Sequence, residues 1–144
     1  MRENLGEFQD ESGMKRRWFS GSCHCGGVQF SAAATLDITV TLCNCSICYR
    51  SGHQEIMVRE DHFILHQGEE LLSSYRFGES RAEHTFCSRC GIKPFYRPRS
   101  HPIGFRSVNA RCLTFAPDVT LTYADFDGQN WESSIAAGLH CLTD

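Results

Sequence analysis

Residues 38–48 read Ile38-Thr-Val-Thr-Leu-Cys43-Asn-Cys45-Ser-Ile-Cys48, so an apolar alternation runs directly into three closely spaced cysteines. Apolar and polar residues that alternate with a period of two are typical of a half-buried β-strand. Because the apolar residues at 38, 40 and 42 share one face of that strand, Cys43 should direct its sulfur to the opposite face, away from the core. The run therefore predicts a strand that ends in a thiol-rich site.

Short patterns of the same kind continue along the chain from Trp18 onward. Val28 and Phe30 flank Gln29 in a strand-like alternation, and glycine and proline separate the later apolar runs. We predict further strands over 54–58, 63–66, 72–77, 82–86, 93–97, 103–108 and 119–123. Only Trp131–Leu139 has a plausible helical pattern. The sequence thus predicts a mainly β fold, a small β-sheet domain of short antiparallel strands with little helix.

The domain organisation follows from length and from the composition of the first residues. A chain of 144 residues fits one domain of ordinary size. Residues 1–17 contain four acidic and four basic side chains and little apolar content. We therefore expect a flexible N-terminal tail over 1–17 and a single domain over 18–144.

Charge and cysteine content exclude several classes of protein. The formal net charge is −3, which gives no global electrostatic reason to expect a nucleic acid or an anionic membrane as partner. The chain has no apolar run long enough for a transmembrane helix or a secretory signal. Its nine cysteines are an odd number, and most are clustered. This pattern predicts a reducing, cytoplasmic compartment and thiolates that bind metal, not a secreted disulfide framework.

Seven of the nine cysteines fall in three motifs, which read Gly21-Ser-Cys23-His-Cys25-Gly26-Gly27, Cys43-Asn-Cys45-Ser-Ile-Cys48 and Phe86-Cys87-Ser-Arg-Cys90-Gly91. Thiolates arranged as a tetrahedron are preferred zinc ligands. On an extended chain, residues i and i+2 share a face, so each Cys-x-Cys pair can chelate one ion. In the third motif, a tight turn ended by glycine should point both sulfurs inward.

Seven thiols divide naturally into a site of four and a site of three, and so predict two zinc ions per chain. Cys23, Cys25, Cys87 and Cys90 would form a closed site that links distant parts of the chain. The remaining three, at 43, 45 and 48, lie within six residues and would leave one coordination position open. Closed four-ligand zinc is structural, whereas three protein ligands plus water or substrate is the catalytic arrangement.

Each motif also has a simpler interpretation. The thiols could be buried and free, the three-cysteine site could be a second structural zinc completed by a histidine, and Cys87 with Cys90 could be a redox dithiol. Cys112 and Cys141 lie outside the motifs, and we interpret them as ordinary small apolar side chains. His62 and His66 have the spacing of a helical metal pair, but the residues between them predict a strand. His24 would face away from the metal on an extended chain.

Taken together, the motifs resemble a known family. The pattern Gly21-x-Cys23-x-Cys25-Gly26-x-Val28-x-Phe30, then Cys43-x-Cys45-Ser46-x-Cys48 and Phe86-Cys87-x-x-Cys90-Gly91, is similar to the glutathione-dependent formaldehyde-activating enzyme (GFA) family, which includes the centromere protein V domain. Tyr75-Arg-Phe77, Lys93-Pro-Phe95-Tyr96 and Ser107-Val-Asn109-x-x-Cys112-Leu113 add to the similarity, which covers about residues 19–131. Asn44 departs from it, because many relatives have histidine there.

The resemblance implies a zinc-stapled β domain of the beta-tent type with carbon–sulfur lyase activity on thiol–aldehyde adducts such as S-hydroxymethylglutathione. By motif position, the four-cysteine set would hold a structural zinc and Cys43, Cys45 and Cys48 the catalytic one. The implied partner is a small thiol such as glutathione, and basic residues near the motifs could bind its carboxylates, although each is typical of a solvated surface charge. These residues are Arg50, Arg59, Lys93, Arg97 and Arg99. His53, five residues after Cys48, is our candidate proton-transfer group.

Two other functions remain open at this point. A zinc-stapled β domain can serve as a non-catalytic binding module, although the charge-balanced residues 1–17 lack the basic extension that microtubule or nucleic-acid targeting would need. A methionine sulfoxide reductase-like protein would need a nucleophilic cysteine outside the zinc clusters. Cys112 and Cys141 are the only candidates for that role.

Overall fold

The computed structural model describes residues 6–78, 82–98 and 104–130. Within these residues, short strands, one α-helix and single turns of 3-10 helix follow one another along the chain. The strands are β1 (Glu7–Gln9), β2 (Lys15–Ser22), β3 (Gln29–Ala34), β4 (Asp37–Cys43), β5 (Glu55–Arg59), β6 (Phe63–Gln67), β7 (Leu72–Tyr75), β8 (Glu83–Cys87), β9 (Phe95–Arg97), β10 (Phe105–Asn109) and β11 (Thr120–Phe126). The helix α1 covers Ser46–Ser51. None of the described helices is long and apolar enough to cross a membrane.

The strands form two sheets. One has the order β1-β2-β3-β6, and the other has the order β11-β4-β5-β10-β9-β8-β7. The pairings are antiparallel apart from that of β11 with β4, which is parallel. The mainly β prediction is confirmed, and each strand predicted from the sequence overlaps one of β3 to β11. The predicted helix Trp131–Leu139 lies outside the described residues.

Apolar side chains from both sheets meet in one core. Phe30 of β3 packs edge-on against Phe95 of β9 at a centroid distance of 5.2 Å, and Phe63 of β6 contacts the same ring at 4.7 Å. Val40 and Val108 are fully buried beside them. Burial of this apolar surface is the main force that holds the two sheets together.

The expectation of a flexible tail over 1–17 is wrong for the described residues from Gly6 onward, because they form a hairpin. β1 pairs with β2 in antiparallel register, and Phe8 packs on Trp18 at a centroid distance of 5.8 Å. The Arg17 guanidinium donates hydrogen bonds to both Glu7 and Asp118. The mixed charges that suggested a tail therefore pair across strands.

The seven-stranded sheet has an apolar face and a polar face. Ile38, Val40 and Leu42 alternate with residues that point the other way, so Thr41 and Cys43 leave the core side as predicted. The register then carries the polar face across the sheet, because Thr41 lies opposite Glu55 and Glu55 opposite Asn109. Two residues before Asn109 on β10, Ser107 lies opposite Tyr96 of β9. Tyr96 in turn lies opposite His84 of β8. This polar face begins where the three-cysteine motif ends β4.

Candidate metal centres

The four-cysteine cluster joins the two sheets. Cys23 and Cys25 lie in the turn between β2 and β3, Cys87 ends β8, and Cys90 lies in the turn that follows. The Sγ atom of Cys25 is 3.6 Å from that of Cys23 and 3.7 Å from that of Cys87, and all four sulfurs lie within 4.8 Å of one another. The structure thus brings together the four thiols that the sequence grouped.

These distances fit a tetrahedral zinc ion. Four sulfurs at the usual Zn–S distance of ~2.3 Å would be about 3.8 Å apart. The local conformation differs from the prediction at Cys23-His-Cys25, which is a turn closed by the Gly26 amide on the Cys23 carbonyl at 3.2 Å, not an extended segment. The turn still pairs the sulfurs, because Gly27 and Val28 donate backbone N–H groups to Cys25 and Cys23. His24 is exposed on this turn.

Backbone amides also stabilise the thiolate form of Cys25 and Cys90, the two less buried cysteines of this cluster. The Gly27 amide is the main cause that lowers the pKa of Cys25. Burial opposes ionisation of Cys90, but the amides of Cys25 and Ile92, followed by the side chains of Cys87 and Cys23, lower the pKa of Cys90 to about 6. Because metal ligands must be deprotonated, these donors favour metal binding near neutral pH.

The three-cysteine cluster is built on the junction of β4 and α1. Cys43 ends β4, Cys45 is the N-cap of α1, and Cys48 is buried within the helix. The Cys45 amide donates to the Cys43 sulfur, and the Cys48 amide donates to the Cys45 sulfur, each at 3.5 Å. The helix was not predicted because it has only six residues and its N-cap is a thiol, where Ser, Thr, Asp or Asn is usual. In the described part of the chain, no fourth His, Cys, Asp or Glu completes this cluster.

The chemistry of these three thiols calls for a cation. Contacts with Cys43 and Cys48 lower the pKa of Cys45 to about 2, so this thiol is the first to ionise. The other two thiols, Cys43 and Cys45, raise the pKa of Cys48 well above its ordinary value, because thiolates at this distance repel one another. A divalent ion removes that repulsion, so the donor set fits zinc.

The loop after β11 covers one side of the three-cysteine cluster. A Cβ atom on Gly128 would lie 2.4 Å from the Cys43 sulfur and 2.8 Å from the Cys45 Cβ, so only glycine fits there. Asn44 fixes this loop with its side chain, which donates to Asp127 and accepts from the Gln129 amide. The residue that departs from the family pattern therefore has a packing role in this chain.

The polar face of the seven-stranded sheet borders the cluster on another side. The Tyr96 hydroxyl is 4.0 Å from the Cys48 sulfur, and the Tyr96 ring meets the His53 ring edge-on at 5.0 Å. His53 is buried, with Nε2 2.9 Å from the Ser107 hydroxyl and no hydrogen bond at Nδ1 within the described residues. Burial lowers the pKa of His53 well below its ordinary value and raises that of Glu55.

Lys93 also lies at this face and is not the solvated surface charge that the sequence suggested. Its ammonium is 2.7 Å from His84 Nδ1 and 3.9 Å from the centre of the Tyr96 ring. Arg59 and Arg97 instead form ion pairs, with Asp61 and Glu60 respectively. Arg50 is exposed on α1 beside the three-cysteine cluster, and Arg99 lies outside the described residues.

The polar residues that complete this site were not predicted from the sequence. Glu55, His84, Tyr96 and Ser107 come from four strands and share a face only through the register of the sheet. The available signal was their alternation with core residues within strands that had already been predicted. Outside the clusters, the residues at 63–65 between His62 and His66 open β6, as expected. Cys141 lies beyond the described residues.

The family comparison agrees with this geometry. The model of the glutathione-dependent formaldehyde-activating enzyme family matches residues 18–122, which is more than two thirds of the chain. The chain belongs to the GFA family. A crystal structure of a protein from Rhodobacter sphaeroides is similar to it, with 31% sequence identity and a TM-score of 0.59. That match covers 72% of this chain and 99% of the Rhodobacter protein.

Family membership confirms the resemblance inferred from the cysteine motifs. All seven motif cysteines lie within the matched range. In its described residues, this GFA-type protein has one cluster of four thiols and one of three, and each could hold a metal ion. The donor chemistry of both clusters is consistent with zinc.

Proposed function

We propose that this chain is a zinc-dependent carbon–sulfur lyase that acts on adducts of a small thiol with an aldehyde, such as S-hydroxymethylglutathione. The observation that carries the proposal is the contrast between the two clusters. One has four thiols and ties two sheets together, whereas the other has three thiols beside a polar, partly buried face. Three protein ligands with one position left for substrate is the pattern of catalytic zinc sites.

In this proposal, the residues at 43, 45 and 48 hold the catalytic zinc, and a bound zinc would supply Lewis-acid stabilisation of developing negative charge. The four-cysteine set holds a structural zinc. Three thiolate ligands make the catalytic centre tolerant of a further thiol, which suits a substrate that contains sulfur. Keeping these thiols reduced requires a reducing compartment, and we place the protein in the cytoplasm on that ground.

The polar face supplies groups that can hold or move a proton. His53 Nδ1 lacks a partner within the described residues while Nε2 is fixed by Ser107, so Nδ1 is the atom at which His53 would exchange a proton with substrate. Burial raises the pKa of Glu55, which extends the pH range over which this carboxyl keeps its proton. The Tyr96 hydroxyl, near the Cys48 sulfur, can donate a hydrogen bond to a thiolate bound there.

The activity can be measured without a coupled assay. Exchange of ¹³C-formaldehyde with its glutathione adduct is followed by NMR exchange spectroscopy, with and without the zinc-loaded protein. We expect the protein to accelerate exchange and Cys48→Ser to abolish the acceleration. Substitution of Cys25 would not serve as a control, because Cys25 belongs to the four-cysteine cluster. The matched control is Ser46→Ala, a substitution on α1 that leaves all seven thiols in place.

Two other outcomes would redirect the assignment. An absence of acceleration with glutathione and with other small thiols would favour the non-catalytic binding module. Reduction of methionine sulfoxide would favour a reductase, but burial raises the pKa of Cys112 to about 12, which disfavours a nucleophilic thiolate at that position. This result for Cys112, together with the three-thiol cluster beside the polar face, favours the lyase over the reductase.

A further inference from the structure

We propose that Lys93 binds the oxygen atom of the thiol–aldehyde adduct and that His84 is the positioning residue that aims its ammonium. This inference rests on the proposed lyase function, for which it names the group that receives the developing oxyanion. Lys93 is not among the proposed metal ligands. In the family resemblance it appears only as the first residue of the pattern Lys93-Pro-Phe95-Tyr96. What points to a role in binding is the way its side chain is held.

The Lys93 ammonium has a fixed position and a donor to spare. One of its three N–H groups points to His84 Nδ1 at 2.7 Å, and the cation lies 3.9 Å from the centre of the Tyr96 ring. Asn109 anchors the backbone beneath it by donating to the Lys93 carbonyl at 3.0 Å. An ammonium has three donors, so at least one remains for a ligand.

His84 is itself held rigidly. Its ring stacks between Phe77, at 5.6 Å, and Tyr96, at 4.5 Å, with interplanar angles of 24° and 20°. The two neighbours fix the plane of the imidazole and therefore the direction of its Nδ1 lone pair. Burial and the adjacent Lys93 lower the pKa of His84 to about 4, which keeps the ring neutral and able to accept the hydrogen bond.

The charge of Lys93 faces the three-cysteine cluster and not a carboxylate pair. Within the described residues, no acidic oxygen lies within 4.0 Å of its ammonium, which lies over the Tyr96 ring whose hydroxyl is 4.0 Å from the Cys48 sulfur. Burial lowers the pKa of Lys93 to about 8, and the thiolates of Cys48 and Cys45, followed by the Glu55 carboxylate, oppose this effect. Three thiolates and one Zn²⁺ sum to −1, and a bound substrate thiolate would make the centre more negative. A buried cation beside such a centre is placed to stabilise a further negative charge.

The reaction places that charge on oxygen. When the adduct forms, the thiolate sulfur attacks the aldehyde carbon, the C–S bond forms, and the π electrons of the C=O bond move to oxygen. Lys93 donates a hydrogen bond to this oxygen, which then takes up the proton that the thiol lost. In the reverse direction the oxygen loses the proton, C=O forms again, and the C–S bonding pair returns to sulfur.

The test uses thiol binding to the full-length protein with cobalt in both metal sites. Mercaptoacetate has an anionic oxygen near its sulfur, and ethanethiol is the matched thiol without one. We expect wild-type protein to prefer mercaptoacetate by about tenfold, as for a charge-assisted hydrogen bond, measured from the sulfur-to-cobalt charge-transfer bands. Lys93→Met should lose the preference and keep its affinity for ethanethiol, and Lys93→Arg should retain part of it. Lys15→Met, at an exposed lysine of β2, should behave as wild type.

A Lys93→Met protein that keeps the mercaptoacetate preference would overturn the inference. So would an equal loss of affinity for both thiols, because that result would show a merely structural role. His84→Phe preserves the stacked ring but removes the Nδ1 acceptor, and we expect it to reduce the preference without changing ethanethiol binding. If His84→Phe leaves the preference intact, His84 does not position Lys93.

Turnover separates this inference from the function on which it rests. If adduct exchange is catalysed, Lys93→Met should lower kcat by about 10²-fold, the usual cost of removing an oxyanion donor. An unchanged kcat would contradict the role of Lys93. If the wild-type protein catalyses no exchange but Lys93→Met still loses the mercaptoacetate preference, the lyase proposal fails and the oxygen-binding role of Lys93 is supported.

Discussion

Ser107 shows how a single residue organises the polar face. Its side chain is fully buried, and its hydroxyl lies 2.9 Å from His53 Nε2. The same hydroxyl also opposes the effect of burial on the pKa of Glu55 and of Tyr96. A single hydroxyl thus orients a candidate base and acts on the carboxyl and phenol groups beside it.

Removal of this hydroxyl should destabilise the fold. Ser107→Ala leaves buried polar atoms without a partner, and we expect the free energy of unfolding to fall by about 1–3 kcal/mol. For a chain of this size, that corresponds to a decrease in Tm of roughly 2–10 °C in a thermal melt. Ser20→Ala, at an exposed position of β2, is the control and should change Tm very little. A Ser107→Ala protein that melts like the control would show that this network carries no stability.

Individual residues also differ in how far the sequence could predict them. The grouping of seven thiols into four and three followed from the spacing within each motif together with the four ligands that a closed zinc site needs. The position of Lys93 could not be predicted, because its burial depends on His84, Tyr96 and Asn109, which lie on three other parts of the sheet. His53 was found from its distance to Cys48 along the chain, but its hydrogen bond to Ser107 joins residues 54 positions apart.

The elements around the three-cysteine cluster leave almost no free space on the β11 side. The turn at Gly128 packs its backbone against Cys43 and Cys45. The parallel pairing of β11 with β4 brings this turn to the cluster, because Phe126 lies opposite Cys43. The cluster is therefore enclosed by α1 and by the end of β11, two elements that are distant in sequence.

A methyl group at Gly128 should disturb this metal site selectively. In Gly128→Ala the new Cβ would overlap the Cys43 sulfur, so the cluster must shift or lose its ion. We expect zinc content to fall from two ions per chain towards one while the four-cysteine site stays filled. Gly78→Ala adds the same methyl where nothing lies within 4 Å; its φ of +59° strains the backbone locally, outside both clusters, so this variant should keep both ions. Elemental analysis that finds two ions in Gly128→Ala would contradict the packing argument.

At the level of elements, each predicted strand overlaps one of β3 to β11, and the alternation is clearest in β4, where Ile38 and Val40 are buried and Asp37 and Thr39 are not. It predicted neither β1 nor β2, where paired charges and the contact of Phe8 with Trp18 hold the strands together. It also failed at α1, since one and a half turns are too short to show a helical period. The parallel pairing of β11 with β4 depends on a long connection that no local pattern reveals.

Deletion of β1 tests whether the N-terminal residues form a stabilising hairpin and not a flexible tail. Deletion of residues 1–13, which leaves Met14 as the first residue, removes β1 and exposes the Trp18 ring that Phe8 contacts. We expect Tm to fall by several degrees, in keeping with a loss of about 1–3 kcal/mol of apolar burial, and zinc content to remain unchanged. An unchanged Tm, against a full-length control, would show that residues 6–13 behave as the tail first expected.

For the molecule as a whole, the two metal clusters differ in what they connect. The four-cysteine cluster brings the β2–β3 turn of one sheet to the β8–β9 turn of the other, with Cys25 and Cys87 separated by 62 positions in the chain. Closing a loop of that length costs several kcal/mol of chain entropy, which metal binding offsets in the folded state. The three-cysteine cluster closes almost no loop, because its ligands lie within six residues.

The central claim is that one cluster holds the fold together and the other performs the chemistry. The most direct test is the Tm of Cys90→Ser and Cys48→Ser, measured side by side with wild type in the presence of zinc. Our account predicts that Cys90→Ser melts far below wild type or fails to fold, whereas Cys48→Ser melts close to wild type although it lacks one ion. If Cys48→Ser melts as early as Cys90→Ser, the division into a structural and a catalytic centre is wrong.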